Sequence, residues 1–157
     1  MTLAMPLLSQ VTGHLVSLVE NWLTQAFSRP ADNPAMNGHH HTADLAGCPA
    51  GHAAMTDPQA LRAVCIAAIQ AAGLTPVGEL FHRFPAPGGV TGVVLLAESH
   101  LAVHTWPELG AVTLDAYVCN YGADNSAAAL HLVNALIAAF APQQVQRQRW
   151  QRGEGVG

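Results

Sequence analysis

Positive charge is scarce in this chain. Of 157 residues only six are Lys or Arg, against ten Asp or Glu, for a formal net charge of −4. So few cations leave no basic stripe to neutralise a phosphate backbone, which argues against nucleic-acid binding. Cysteine is scarce too. Cys48, Cys65 and Cys119 make an odd count with no CxxC pair, so a disulfide framework is disfavoured and a reducing, cytoplasmic setting is expected. No stretch is long and apolar enough to read as a membrane span. Residues 1–30 have neither a cationic start nor an unbroken apolar run, because Ser9, Gln10, Thr12, His14, Ser17, Glu20 and Asn21 interrupt them. Repeats and low-complexity tracts are lacking. What the chain has in quantity is apolar residues, 50% of the total. That suits one domain with one core and leaves disorder to the ends.

Residues 7–27 read as a helix, with Leu8, Val11, Leu15, Leu18 and Trp22 at alternating steps of three and four. This helix packs on its own domain or supplies a dimer seam. "SRPADNPAMNG", 28–38, reads as a linker, so residues 1–37 form an extension and 38–157 the domain proper. "HHHTADLAG" predicts a first strand. "TDPQALRAVCIAAIQAAG" predicts a helix capped by Asp57, opened by Pro58 and stopped by Gly73, with Leu61, Val64, Cys65, Ala68 and Ile69 inward. Strands are expected over 74–84, 90–97, about 101–105 and 111–119. A third helix is expected over 124–140, capped by Asp124 or Asn125, with Leu130, Val133, Leu136, Ile137 and Phe140 inward. "QQVQRQRW" predicts an edge strand. Short turns between the middle strands argue for antiparallel pairing. The fold class is α+β, a two-layer sandwich of a mainly antiparallel sheet with helices on one face.

Polar chemistry gathers in "ESHLAVHTWPE", 98–108, between two apolar runs. Ser99 has no GxSxG elbow, so a hydrolase triad has little support. A strand places residues 100, 102 and 104 on one face, which yields a cluster but not a reaction. His39, His40 and His41 invite a metal reading, yet adjacent strand residues alternate faces and cannot all reach one ion. His52 and His82 lack supporting spacing, so no metal is expected, and the run reads as a partly exposed strand edge or a polar wall. His14 and His131 read as surface or boundary residues. Cys48 sits in a turn. Cys65 reads as a small core hydrophobe. Cys119 closes a strand before a turn, a place suited to a catalytic acid or nucleophile. Trp106 reads as core packing, and Phe84 as either packing or a stacking surface.

"AESHLAVHTWPE" closely resembles the processing motif of the prokaryotic S-adenosylmethionine decarboxylases, small pyruvoyl-dependent enzymes of polyamine synthesis. "GHHHTADLAGC", "FHRF", "GVTGVVLLAESH" and "LDAYVC" extend the resemblance over residues 38–125, in order and spacing. It implies a proenzyme that cuts itself between Glu98 and Ser99. The Ser99 hydroxyl attacks the Glu98 carbonyl, and Ser99 ends as a pyruvoyl group that forms a Schiff base with the substrate. The resemblance makes His104 the processing base, Thr91 the processing hydroxyl and Cys119 the proton donor. It makes Phe84 the adenine-stacking ring and Glu108 the carboxylate on the ribose hydroxyls. It implies S-adenosylmethionine as substrate, a homodimer of cleaved protomers, spermidine synthesis as the purpose, and no part for nucleic acid or membrane.

Three departures stand out. Thr91 occupies a position where the family has serine, and its β-branch stiffens χ1. Cys119 is followed by Asn120 rather than glycine. The turn before Thr91 is one residue longer than usual. Two alternatives stay open on the residues: a pyruvoyl-dependent decarboxylase of arginine or ornithine, and a non-catalytic regulatory homologue.

Overall fold

A computed structural model describes residues 37–86, 88–120 and 122–153, within the second of the chain's two units, Ala35–Gly157. The expected helix over 7–27, His14 and the linker as far as residue 36 lie outside the described residues.

The strands are β1 (Gly38–Ala46), β2 (Pro76–Arg83), β3 (Val90–Leu96), β4 (Ser99–Trp106), β5 (Ala111–Cys119) and β6 (Gln144–Arg152); the helices are α1 (Pro58–Ala71) and α2 (Ser126–Phe140). The six strands form one sheet in the order β2-β3-β4-β5-β1-β6, and every neighbouring pair is antiparallel. β2 to β5 form a meander. β1 lies beyond it, between β5 and β6. The expected α+β two-layer sandwich is the observed architecture.

Alternation along the strands makes the core. Ala43 and Leu45 of β1, Val90 and Val94 of β3, Leu101 and Val103 of β4, and Val112, Leu114 and Ala116 of β5 are buried with the helices. α1 begins as its sequence predicts: the Asp57 carboxylate accepts the Gln59 amide at 2.9 Å, and Pro58 occupies the first turn. It ends at Gly73, whose φ of +72° lets the Leu74 amide return to the Ile69 carbonyl. Leu61, Cys65, Ala68 and Ile69 are buried, and Val64 packs partly buried against them. In α2 the Asp124 carboxylate accepts the Ser126 amide at 2.9 Å.

Two expectations about the core are corrected. Leu130 is exposed, and Leu132 holds the inward position, because the α2 stripe runs through Ala129, Leu132, Val133, Leu136 and Phe140. His39 and His41 are buried, so β1 is no exposed edge. It is an interior strand because β6 pairs along its outer side.

The other face of the sheet carries Leu80, Thr91, Leu95, His100, His104, Trp106, Asp115, Tyr117, His40 and Trp150. No described element covers it. Leu80, Leu95, Trp106 and Trp150 are all exposed there.

Candidate active site

β3 and β4 are joined by a two-residue turn, Ala97–Glu98, with Leu96 paired to Ser99. Glu98 has a φ of +54°. A side chain in the left-handed region is uncommon, and such backbone costs on the order of 1–3 kcal/mol. The Glu98–Ser99 peptide therefore sits at a strained, exposed corner. β5 ends beside it: the Cys119 amide donates to Ser99 Oγ at 2.9 Å. Cys119 is buried, and its thiol donates to the Asn37 carbonyl at 3.7 Å. Glu98, Ser99 and Cys119 thus form one cluster at one end of β4.

Asn120 explains one departure. Its φ is not positive, so a glycine's freedom is not required. Its side chain closes the loop instead, Oδ1 accepting the Asn125 amide at 2.8 Å, while Asn125 Nδ2 donates to the Cys119 carbonyl at 2.8 Å. The asparagine steadies the strand end that carries the thiol.

A second cluster lies near the far end of β4. Thr91 pairs with His104 across β3 and β4, and Thr91 Oγ1 lies 2.9 Å from His104 Nδ1. The extra methyl of threonine leaves this bond intact. A cleft of about 250 Å³ opens here, lined by Phe84, Gly89, Thr91, His104, Trp106 and Glu108 among others. The turn before β3 shapes its wall. The Phe84 amide donates to the Gly89 carbonyl at 2.9 Å, and a Cβ on Gly89 would stand 2.4 Å from the Thr105 carbonyl oxygen, so only glycine fits there. Thr105 anchors the floor: its hydroxyl donates to the Met55 carbonyl at 2.7 Å and accepts the Val90 amide at 2.8 Å.

Phe84 and Glu108 are exposed at this cleft. Trp106 is too, which corrects its assignment to the core. The signal was present in the sequence: Trp106 shares strand parity with His100 and His104, not with Leu101 and Val103.

The two clusters do not meet within one chain. Ser99 and His104 are five residues apart on a strand, about 17 Å at a rise of roughly 3.4 Å per residue. A His104 of the same protomer therefore cannot serve its own Ser99.

A third group, missed from the sequence, occupies the open face beside Cys119. His40 Nε2 lies 3.0 and 2.9 Å from the two Asp115 carboxylate oxygens, and His100 Nε2 lies 3.2 Å from Oδ1. The sheet register makes this group, because His40 of β1 and His100 of β4 both face Tyr117 of β5. His39 and His41 point the other way. His39 Nδ1 takes Arg149 at 3.0 Å, and His41 Nε2 is buried with no hydrogen-bond partner. His52 is structural, its Nδ1 accepting the Ala54 amide at 3.2 Å and its Nε2 lying 2.9 Å from the Ala139 carbonyl. His131 is exposed. Among the described residues no group of three or more His, Cys, Asp or Glu is arranged to hold a metal ion, and no described helix is long and apolar enough to cross a membrane.

Burial pushes the Cys65 thiol up to about 12, so it stays protonated and inert. Cys48 is buried beneath a turn and its thiol is also pushed up by burial. Of the three thiols, Cys119 alone lies at the serine corner.

The model of the family described as S-adenosylmethionine decarboxylase matches residues 39–153. The S-adenosylmethionine decarboxylase proenzyme of Pyrococcus furiosus is 36% identical over 104 residues, 66% of this chain and 73% of that protein. The Aquifex aeolicus proenzyme is 35% identical over 116 residues, 74% of this chain and 81% of its own length. A crystal structure of the adenosylmethionine decarboxylase from Aquifex aeolicus superposes with a TM-score of 0.67 at 32% identity, covering 76% of this chain and 93% of that one. The match begins at His39 and takes in the strained Glu98–Ser99 corner, the thiol beside it and the Thr91–His104 pair. On sequence and on fold, this chain belongs to the S-adenosylmethionine decarboxylase family.

Proposed function

We propose that this chain is made as a proenzyme, cuts itself between Glu98 and Ser99, and decarboxylates S-adenosylmethionine to the aminopropyl donor of spermidine synthesis. The observation that carries the reading is the corner itself: a serine hydroxyl held by a backbone amide, at a peptide bond under backbone strain, next to a buried thiol.

Processing follows from these groups. Ser99 Oγ attacks the Glu98 carbonyl carbon, and the amide becomes an ester. His104 takes the Ser99 α-proton, the ester C–O bond breaks, and Glu98 leaves as a carboxylate. Residue 99 becomes dehydroalanine, whose nitrogen is lost as ammonia when water adds, leaving a pyruvoyl group. Strain at Glu98 raises the starting amide toward its transition state. Thr91 holds the His104 ring through Nδ1 and leaves Nε2 for the proton.

The residues present fit a pyruvoyl group, since Ser99 supplies its three carbons and water supplies the keto oxygen. When formed, that group binds the substrate amine and accepts the electrons released with CO₂. The chain's own residues do the rest. Cys119 supplies the proton to the substrate carbon. Phe84 offers a face to adenine, and Trp106 lies in the same cleft. Glu108 offers two acceptor oxygens to the vicinal ribose hydroxyls. The aromatic walls favour a sulfonium cation.

The working unit is a homodimer. The open sheet face brings exposed Leu80, Leu95, Trp106 and Trp150 to one surface, a layer suited to burial against a second copy. In a two-fold pair, Thr91, His104, Phe84 and Glu108 of one protomer serve Glu98, Ser99 and Cys119 of its partner. The domain of this enzyme is residues 38–157, with 1–37 an extension.

An intact mass under denaturing conditions tests the reading. Two pieces are expected, one ending at Glu98 and one beginning at residue 99 and lighter by an ammonia than a serine-started chain. Release of CO₂ from S-adenosylmethionine, but not from arginine or ornithine, is the second half of the test. A single uncut chain without turnover sinks the proposal.

A further inference from the structure

Cys119 does not stand alone on its strand. Tyr117 shares its parity two residues earlier on β5 and faces the same way. Across the ladder Gly38 pairs with Cys119, and a Cβ at Gly38 would stand 2.7 Å from the Tyr117 hydroxyl. The phenol therefore reaches along β5 to the strand end that carries the thiol. The thiol's own proton is directed to the Asn37 carbonyl and not to the phenol.

The ring is held on three sides. The His40 ring stands edge-on to it at 6.3 Å, the His100 ring lies tilted by 33° at 5.9 Å, and both histidines are tied to the Asp115 carboxylate two residues before Tyr117. The Arg152 guanidinium lies 5.6 Å from the ring centroid. Nothing in processing or substrate binding uses this group. Its cost, a carboxylate and two imidazoles on one tyrosine, makes sense if the position of the hydroxyl matters.

We infer that Tyr117 is a positioning residue for decarboxylation, its hydroxyl fixed by the His40–Asp115–His100 clamp so as to hold the Cys119 thiol for proton delivery to substrate. The inference rests on the function proposed above, in which Cys119 is the acid. The titratable and charged groups around the phenol are His40 from β1, His100 from β4, Asp115 and Cys119 from β5, Arg152 from β6, and Glu98 from the turn. Burial pushes the Tyr117 hydroxyl up from its ordinary value, and the negative charge of a Cys119 thiolate pushes it further. The phenol thus stays protonated while Cys119 gives up and recovers its proton.

The test exploits composition. The chain has two tyrosines, Tyr117 and Tyr121, so in Tyr121→Phe full-length protein the tyrosinate absorbance reports Tyr117 alone. Adding Cys119→Ala to that background should lower the pH at which Tyr117 ionises. Separately, Tyr117→Phe keeps the ring and removes the hydroxyl. It should leave cleavage and KM nearly unchanged, lower kcat by about tenfold, and displace the alkaline limb of the kcat profile. An unmoved Tyr117 titration, or a Tyr117→Phe profile that superimposes on wild type, overturns the inference. A wild-type chain that is neither cut nor active overturns the proposed function instead; the titration needs neither cleavage nor turnover and still decides the contact.

Discussion

At the scale of single residues, the site turns on small differences of side-chain chemistry. Thr91 keeps a hydroxyl that reaches His104, so the proposed self-cleavage is expected to survive with threonine in place of serine. What threonine loses is freedom at χ1. Thr91→Ser is expected to cleave at least as fast as wild type, and Thr91→Val to slow cleavage by about a hundredfold through loss of the hydroxyl that orients the base. The time course of the two pieces on a denaturing gel measures both. His41 is the contrary case, a polar group whose chemistry is unused. Burial, followed by the Arg149 guanidinium, holds its imidazole below the ordinary value of 6.5. A depressed value in the folded state means the contribution to stability is whole above pH 6.5 and is lost as pH falls, because the unfolded chain then binds the proton more readily. His41→Leu removes both the orphan nitrogen and the titration. It should raise stability by about 1 kcal/mol and flatten the acid limb of the unfolding midpoint against pH. Residues such as these show how far the sequence was legible. Ser99, His104 and Cys119 stand out within a motif, whereas Asp115 and Tyr117 join their partners only through cross-strand register, which no linear spacing reveals.

At the scale of elements, apolar periodicity and caps located every described strand and α-helix to within a few residues, because each boundary has local chemistry. Asp57, Pro58 and Gly73 bracket α1; the strands alternate. Order within the sheet is not local. That β1 inserts between β5 and β6 follows from long-range pairing, and it is why the histidine run is buried and not at an edge. The β2–β3 pair shows how tightly such registers are set. Gly92 faces Phe81 across the ladder, and a Cβ there would stand 2.3 Å from the ring. Gly92→Ala is expected to destabilise the fold by roughly 1–3 kcal/mol, read as a lower urea midpoint at unchanged slope. Because Thr91 is its neighbour on β3, the same substitution should also slow cleavage.

At the scale of the molecule, the separation of the two clusters along β4 makes a demand that one protomer cannot meet. Ser99→Ala and His104→Ala proteins should each remain uncut when made alone. Co-expressed, they should form mixed dimers in which only the His104→Ala chain is cut, its Ser99 served by the partner's intact histidine. Mass spectrometry of the mixture distinguishes the two chains; absence of cleavage contradicts a shared site. The sequence held both clusters yet not their distance, since spacing in residues becomes spacing in ångströms only when β4 is known to run straight between them. The strand order has one more consequence. The proposed cut leaves β1, β2 and β3 on one polypeptide and β4, β5 and β6 on another, but the sheet alternates between them, with β1 clasped by β5 and β6. The pieces are interlocked through three ladders, so maturation severs the chain without releasing either part. It also makes folding a one-time event. The uncut precursor folds as one chain, whereas the cut protein, once unfolded, must find its other half in solution, and its recovery will depend on concentration.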